Sequence, residues 1–161
     1  MIHLICLGNA LHADDGFGAA MAHRLRALLW PDNIRILDGS GRFGPTELFE
    51  HCRLALILEA VPPHLGAPGE IVRLDGASYQ GHPPDNFRAG TGALLAAVRA
   101  MAAPPQMQVM GPAAICRRPF APGLSPLIQA ACQTMTVMLA AEFGGMRAGR
   151  SRRMTAQIVM P

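Results

Sequence analysis

Lysine is absent from this 161-residue chain, whose 14 cationic side chains are all arginines. That absence points to genomic composition before it points to function. No basic stripe with interleaved aromatics and no recognised binding motif occurs in the body of the chain, which argues against a nucleic-acid footprint. The formal net charge is +3, but Arg147, Arg150, Arg152 and Arg153 follow the last apolar pattern, and without them the body stands at −1. The four cysteines, Cys6, Cys52, Cys116 and Cys132, form no Cys-x-x-Cys pair. They read as reduced, buried thiols rather than as a disulfide framework. No window approaches the ~18 apolar residues of a membrane span, and the run from Ile2 to Leu7 is too short for a signal sequence and lacks a basic flank. A cytoplasmic protein is expected. Gly-x-Gly-x-x-Gly is missing after the first apolar run, and no Ser-His-Asp order or activated cysteine is evident, so nucleotide-fingerprint and nucleophilic chemistry lack support.

Half of the residues are hydrophobic, enough for one core in a chain of this length. His3 to Leu7 reads as a strand buried on both faces. Phe17, Ala20, Met21, Leu25 and Leu28 recur at helical spacing, predicting a helix to Leu29 or Trp30, before Pro31. Asn33 to Asp38 predicts a second strand, and a short helix begins near Pro45. Arg53 to Leu58 is the most continuous apolar run and predicts a central strand ending at Glu59. Gly69 to Asp75 alternates like an edge strand, and Gly76 to Ala89 reads as a long loop. A helix follows from about Thr91 to Ala102, a strand from Gln106 to Gly111, and a last helix after Ser125-Pro126, an N-cap followed by proline at the first helical position, ending at Gly144-Gly145. Alternating strands and helices predict a three-layer α/β/α sandwich around a mostly parallel sheet of about five strands. Residues 1–145 are expected to form one domain, and 146–161 an Arg-rich, flexible tail.

Gly8-Asn9 and Asp14-Asp15-Gly16 carry two adjacent carboxylates from the end of the first strand to the start of a helix. Ligands of open α/β sheets bind beyond the carboxyl ends of the strands. Glu59 ends the central strand in the same way, and a buried carboxylate there requires a metal, an arginine or a proton. Asp14 has a local reading as N-cap of the first helix. Gly8 and Asn9 shape the first turn, and the Gly39-Ser40-Gly41 loop can offer backbone N–H groups to a peptide or a phosphate. His12, His64 and His82 lie in predicted loops that could reach this rim; His3, His23 and His51 read as structural or exposed.

With Gly8-Asn9, Asp14-Asp15-Gly16-x-Gly18, Asp38-Gly39, Glu59-Ala60, Pro68-Gly69 and Gly123-Leu124-Ser125-Pro126 in register, the chain resembles the hydrogenase maturation proteases from about Ile2 to Phe143. These endopeptidases remove the C-terminal extension of the nickel-loaded large subunit of [NiFe] hydrogenases. The resemblance implies their phosphorylase/hydrolase-like α/β/α fold, a hydrogenase large-subunit precursor as partner, nickel supplied by that substrate, and no organic cofactor, nucleic acid or membrane. It puts acidic ligands with catalytic roles on Asp15 and Glu59, and substrate contacts on Gly8, Asn9, Asp38, Gly39, Ser40 and Gly41. The family's third ligand, a histidine, falls on Phe87. Neither Phe87 nor Arg88 can ligate a metal, and Arg88 beside two acids reads as a counter-charge replacing it. Cys6 stands where a glycine is usual, and Glu59 where aspartate is. A maturation endopeptidase is the first expectation; a non-catalytic assembly protein that binds the precursor without cutting it is the second, and a small-molecule or nucleotide-binding module the third.

Overall fold

The computed structural model describes residues 1–40, 44–77, 79, 91–116 and 118–147. In chain order the elements are β1 (Ile2–Cys6), α1 (Phe17–Arg26), β2 (Leu28–Leu29), β3 (Ile34–Asp38), α2 (Pro45–Phe49), β4 (Leu54–Leu58), β5 (Ile71–Asp75), α3 (Thr91–Arg99), β6 (Gln106–Pro112), α4 (Pro126–Phe143) and β7 (Met146–Arg147). Single 3-10 turns occupy Ala13–Gly16 and Pro63–Leu65.

The main sheet runs β3-β1-β4-β6-β5, with every neighbouring pair parallel except β5 against β6. Its strands form where apolar runs are buried on both faces. Leu4, Cys6, Leu56 and Leu58 pack with Phe17, Met21 and Leu25 of α1 and Ile128, Met135 and Leu139 of α4. Ile5, Ala55, Ile57 and Val109 face the opposite layer, with Leu48 and Phe49 of α2 and Leu95 and Val98 of α3. The expected three-layer sandwich is therefore what the chain forms. From β1 the chain crosses to β3 on one side and then to β4 on the other, so the strand order reverses at β1 and β4. Their carboxyl ends bound the crevice where open α/β sheets bind ligands.

Three local expectations are corrected. Helix α1 stops at Arg26, not near Trp30, because the Trp30 indole N–H turns back to the Leu25 carbonyl at 2.7 Å. That bond satisfies a carbonyl left open at the helix end. Leu28–Leu29 instead pair antiparallel with Met146–Arg147, which carries regular structure past residue 145. Ser125 does occupy the N-cap of α4 with Pro126 behind it, but its side chain makes no capping bond. At the other end Gly144 closes α4 in the left-handed conformation, and the Gly145 N–H returns to the Ala140 carbonyl, as the Gly-Gly pair predicts. Residues 148–161, most of the expected tail, lie outside the described residues.

Candidate functional site

The carboxyl ends of β3, β1 and β4 are level, since Cys6 pairs with both Asp38 and Leu58. The Leu7 N–H continues the ladder to the Leu58 carbonyl at 2.9 Å, and the Gly39 N–H bonds the Cys6 carbonyl at 2.8 Å. Parallel register thus brings the residues that directly follow β1, β3 and β4, among them Leu7, Gly39 and Glu59, to one rim.

Beyond β1 the chain folds back tightly. Gly8 has φ +143°, and a Cβ there would lie 2.0 Å from the Asp15 carbonyl oxygen, so only glycine permits the approach. The Asn9 N–H donates to the Asp15 carbonyl (2.9 Å) and to its carboxylate Oδ2 (3.0 Å). Asn9 Oδ1 in turn accepts from the Leu11 N–H at 3.1 Å. Gly8 and Asn9 therefore fix the half-buried Asp15 at the head of the strand. His12 is edge-on to Phe120, with ring centroids 5.8 Å apart.

Asp14 does something the local sequence does not announce. It is completely buried and caps no helix. Its Oδ2 accepts from the N–H groups of Ile115 (3.2 Å) and Cys116 (2.8 Å), and its Oδ1 from that of Ser125 (2.7 Å). The N-cap reading is thus replaced: Asp14 binds the turn carrying Asp15 to the loop after β6 and to the start of α4.

Glu59 follows β4 and is 5% exposed. Its N–H bonds the Met110 carbonyl at 3.3 Å. A Cβ on Gly111 would fall 1.6 Å from the Glu59 carbonyl oxygen, so β6 can lie this close to Glu59 only with glycine there. Glu59 Oε2 accepts a hydrogen bond from the Thr91 hydroxyl at the first residue of α3. Sequence reasoning missed both Gly111 and Thr91. The only signal was that each sits at the end of an apolar pattern facing the same rim.

In the neighbouring loop, Asp38 Oδ1 accepts from both the N–H and the hydroxyl of Ser40, and Arg26 lies 4.0 Å from Oδ2. The expectation that residues 39–41 offer free backbone N–H groups is corrected for two of the three. The Gly39 amide is held by Cys6, and the Ser40 amide by Asp38. Gly41, His82, Phe87 and Arg88 lie outside the described residues. His64 is exposed, and among the described residues no group of three or more His, Cys, Asp and Glu side chains is arranged to hold a metal ion.

All four cysteines are free. Burial pushes the Cys6 thiol up to about 12, with the charge of Asp38 adding to the effect, and burial lifts Cys132 to about 11. Both stay protonated and non-nucleophilic near neutral pH. Glu59 directly follows β4, and Asp15 lies in the 3-10 turn that Asn9 ties to the end of β1, so each carboxylate is joined to one of two adjacent parallel strands.

A parallel α/β domain with acidic groups at its switch-point rim is the class that fold and site define. Among solved structures, the chain is similar to the hydrogenase maturating endopeptidase HybD from E. coli, at 24% identity and TM-score 0.71, over 90% of this chain and 94% of that one. It is similar to the [NiFe] hydrogenase maturation protease HycI from Thermococcus kodakarensis, at 18% identity and TM-score 0.71, covering 89% and 92%. A hydrogenase 2 maturation peptidase from a Thaumarchaeota archaeon aligns at 21% identity and TM-score 0.64, covering 89% and 97%. The chain thus has the fold of the hydrogenase maturation proteases along nearly its whole described length. No protein-family model matches it, and no curated protein matches it by sequence. No helix among the described residues is long and apolar enough to cross a membrane.

Proposed function

We propose that this chain is a divergent hydrogenase maturation endopeptidase, which removes the C-terminal extension of a nickel-loaded large-subunit precursor in the cytoplasm. What supports the reading is that Glu59 follows β4 and Asp15 is tied by Asn9 beyond the end of the adjacent β1, on a fold shared with such endopeptidases. In this reading the nickel arrives with the substrate. Asp15 and Glu59 supply it with oxygen ligands while it polarises the scissile carbonyl or a water. Gly8 and Asn9 keep Asp15 in place, and Asp38 with Ser40 lines the neighbouring side of the rim.

A second reading is supported by the donor set. Nickel favours an imidazole nitrogen, and hard oxygen donors alone suit other ions better. The position aligned with the expected histidine is Phe87, and the described residues contain no three-membered ligand cluster. A non-catalytic assembly protein that grips the precursor without cutting it fits those facts, with Arg88 as counter-charge to the two acids.

One experiment separates the two. Purified protein is mixed with nickel-loaded precursor, and the precursor mass is followed by mass spectrometry. The endopeptidase shortens it, and Asp15→Asn or Glu59→Gln lowers the rate at least about a hundredfold. Binding without shortening selects the assembly protein. Unimpaired cleavage by both variants removes Asp15 and Glu59 from the mechanism.

A further inference from the structure

On the β3 side of the rim the Gly39 and Ser40 amides are already spent, on the Cys6 carbonyl and the Asp38 carboxylate. Free donors lie one step back, along the outer edge of β3. Backbone groups alternate in direction along a strand. The Asn33 carbonyl accepts from the Ile2 N–H at 2.8 Å and the Gly39 N–H reaches the Cys6 carbonyl, so residues 33, 35, 37 and 39 turn their backbone groups toward β1. Those of Ile34, Ile36 and Asp38 therefore point away from the sheet, in which β3 is an outermost strand. The Ile34 N–H is taken up by the Pro31 carbonyl at 2.9 Å, but the N–H groups of Ile36 and Asp38 and the Ile36 carbonyl between them have no partner among the described residues. Two N–H groups about 6.6 Å apart with a carbonyl between them are what the backbone of an adjoining strand bonds. The opposite edge is less open. On β5, Arg73 is drawn to Gln108 and Glu142, and the Asp75 carbonyl accepts from the Tyr79 N–H as the chain turns. β5 also runs antiparallel to β6, so its carboxyl end lies away from the rim.

We propose that the outer edge of β3 is a peptide-binding site, to which the C-terminal segment of the precursor adds as a further strand of the sheet. That occupant rests on the function proposed above, since a chain end offered for cutting presents an extended backbone, and strand addition is the mode that reads one. Neighbouring strands lie about 4.8 Å apart, which puts the added strand about 10 Å from β1. At about 3.3 Å per residue, roughly three residues carry the chain from it across the end of β3 toward Asp15. The docked segment is thus set apart from the bond to be cut and supplies affinity and register rather than chemistry.

The probe is a synthetic peptide spanning the precursor's cleavage point and C-terminal extension, in three forms: unmodified, N-methylated on its odd residues, and N-methylated on its even residues. Methylation removes N–H donors from one side of an extended peptide at a time and leaves the protein untouched. Calorimetric titration is expected to show one methylated form binding at least about tenfold more weakly and the other about as well as the parent, because alternate residues face β3. Amide exchange in ¹⁵N-labelled full-length chain, with peptide raised to about 1 mM, is expected to slow about tenfold or more at Ile36 and Asp38. The outward amides of Ile71 and Arg73 on β5 are expected to exchange as before. Equal binding of the two methylated forms, or unchanged exchange at Ile36 and Asp38, overturns the proposal. Protection that arises in protein alone and rises with its concentration assigns the edge to a second copy of this chain and overturns it equally. If the precursor is shortened while Ile36 and Asp38 stay unprotected, the site fails and the function stands; protection without shortening upholds the site for the assembly-protein reading. If the precursor is neither bound nor shortened, the function fails, and the precursor as occupant with it.

Discussion

At the scale of single residues, the most consequential side chain at the rim is one that touches no substrate in either reading. Asp14 accepts three backbone N–H groups from positions 101, 102 and 111 residues away. Removing its carboxylate takes the acceptor from three part-buried donors, at about 1 kcal/mol each, the low end of the range for a lost partner. Asp14→Ala is therefore expected to lose about 3 kcal/mol or more, measured by urea unfolding, whereas Asp14→Asn, which keeps one oxygen, loses about half as much. Equal stability of all three proteins would remove Asp14 from this role. The same separation explains why the sequence singles out Asp15 and Glu59 as candidates but misjudges Asp14. Strand ends and acid spacing are local signals, and so is an N-cap, which is why Asp14 reads as one. A carboxylate bonding amides a hundred residues on leaves no local trace, and the Thr91 bond to Glu59 is hidden for the same reason.

At the scale of elements, the strands were legible because burial on both faces leaves continuous apolar runs at β1 and β4. The one-faced edge β5 leaves an alternating one, with Arg73 and Asp75 exposed. The Leu28–Leu29 and Met146–Arg147 ribbon was not legible: two residues are too few for a period, and its partner lies at the other end of the chain. The close approach of β6 to β4 was also invisible, because a glycine at a strand's end reads as a stop rather than as a contact. Gly111→Ala tests that contact. With its Cβ 1.6 Å from the Glu59 carbonyl oxygen, the strands must separate, at an expected cost of about 3 kcal/mol and with Glu59 displaced. Gly44, where among the described residues a Cβ would meet the end of Glu47 at 3.8 Å, is the control: it caps α2, and Gly44→Ala is expected to lose no more than about 1 kcal/mol. Chemical denaturation of both variants checks the contrast. Similar values for the two would show that β6 relaxes away from Glu59 at little cost.

At the scale of the whole molecule, one buried group on β1 couples global stability to pH. His3 is 1% exposed; its Nδ1 donates to the Leu48 carbonyl at 2.8 Å, and its Nε2 is buried with no partner among the described residues. Burial lowers its affinity for a second proton below the ordinary value near 6.5, with Arg35 acting in the same direction and the Leu48 bond opposing both. The imidazole is therefore neutral in the folded protein over a range where the unfolded chain has already bound a proton. Between the depressed folded value and about 6.5 the unfolded state binds more protons, so stability falls as pH drops through that window. Above it this contribution is constant. Because His3 joins β1 to α2, its protonation favours cooperative unfolding of the sheet and that helix layer together, not the opening of one loop. Wild type is expected to melt roughly 2–4 °C lower at pH 5.5 than at pH 7.5. In His3→Asn the amide nitrogen stands near the Nδ1 position and keeps the bond to Leu48, while the titrating nitrogen is gone. That variant is expected to flatten the pH dependence even where its absolute Tm is lower, and thermal melts at the two pH values measure both quantities. An unchanged slope in His3→Asn would assign the acid sensitivity to other groups.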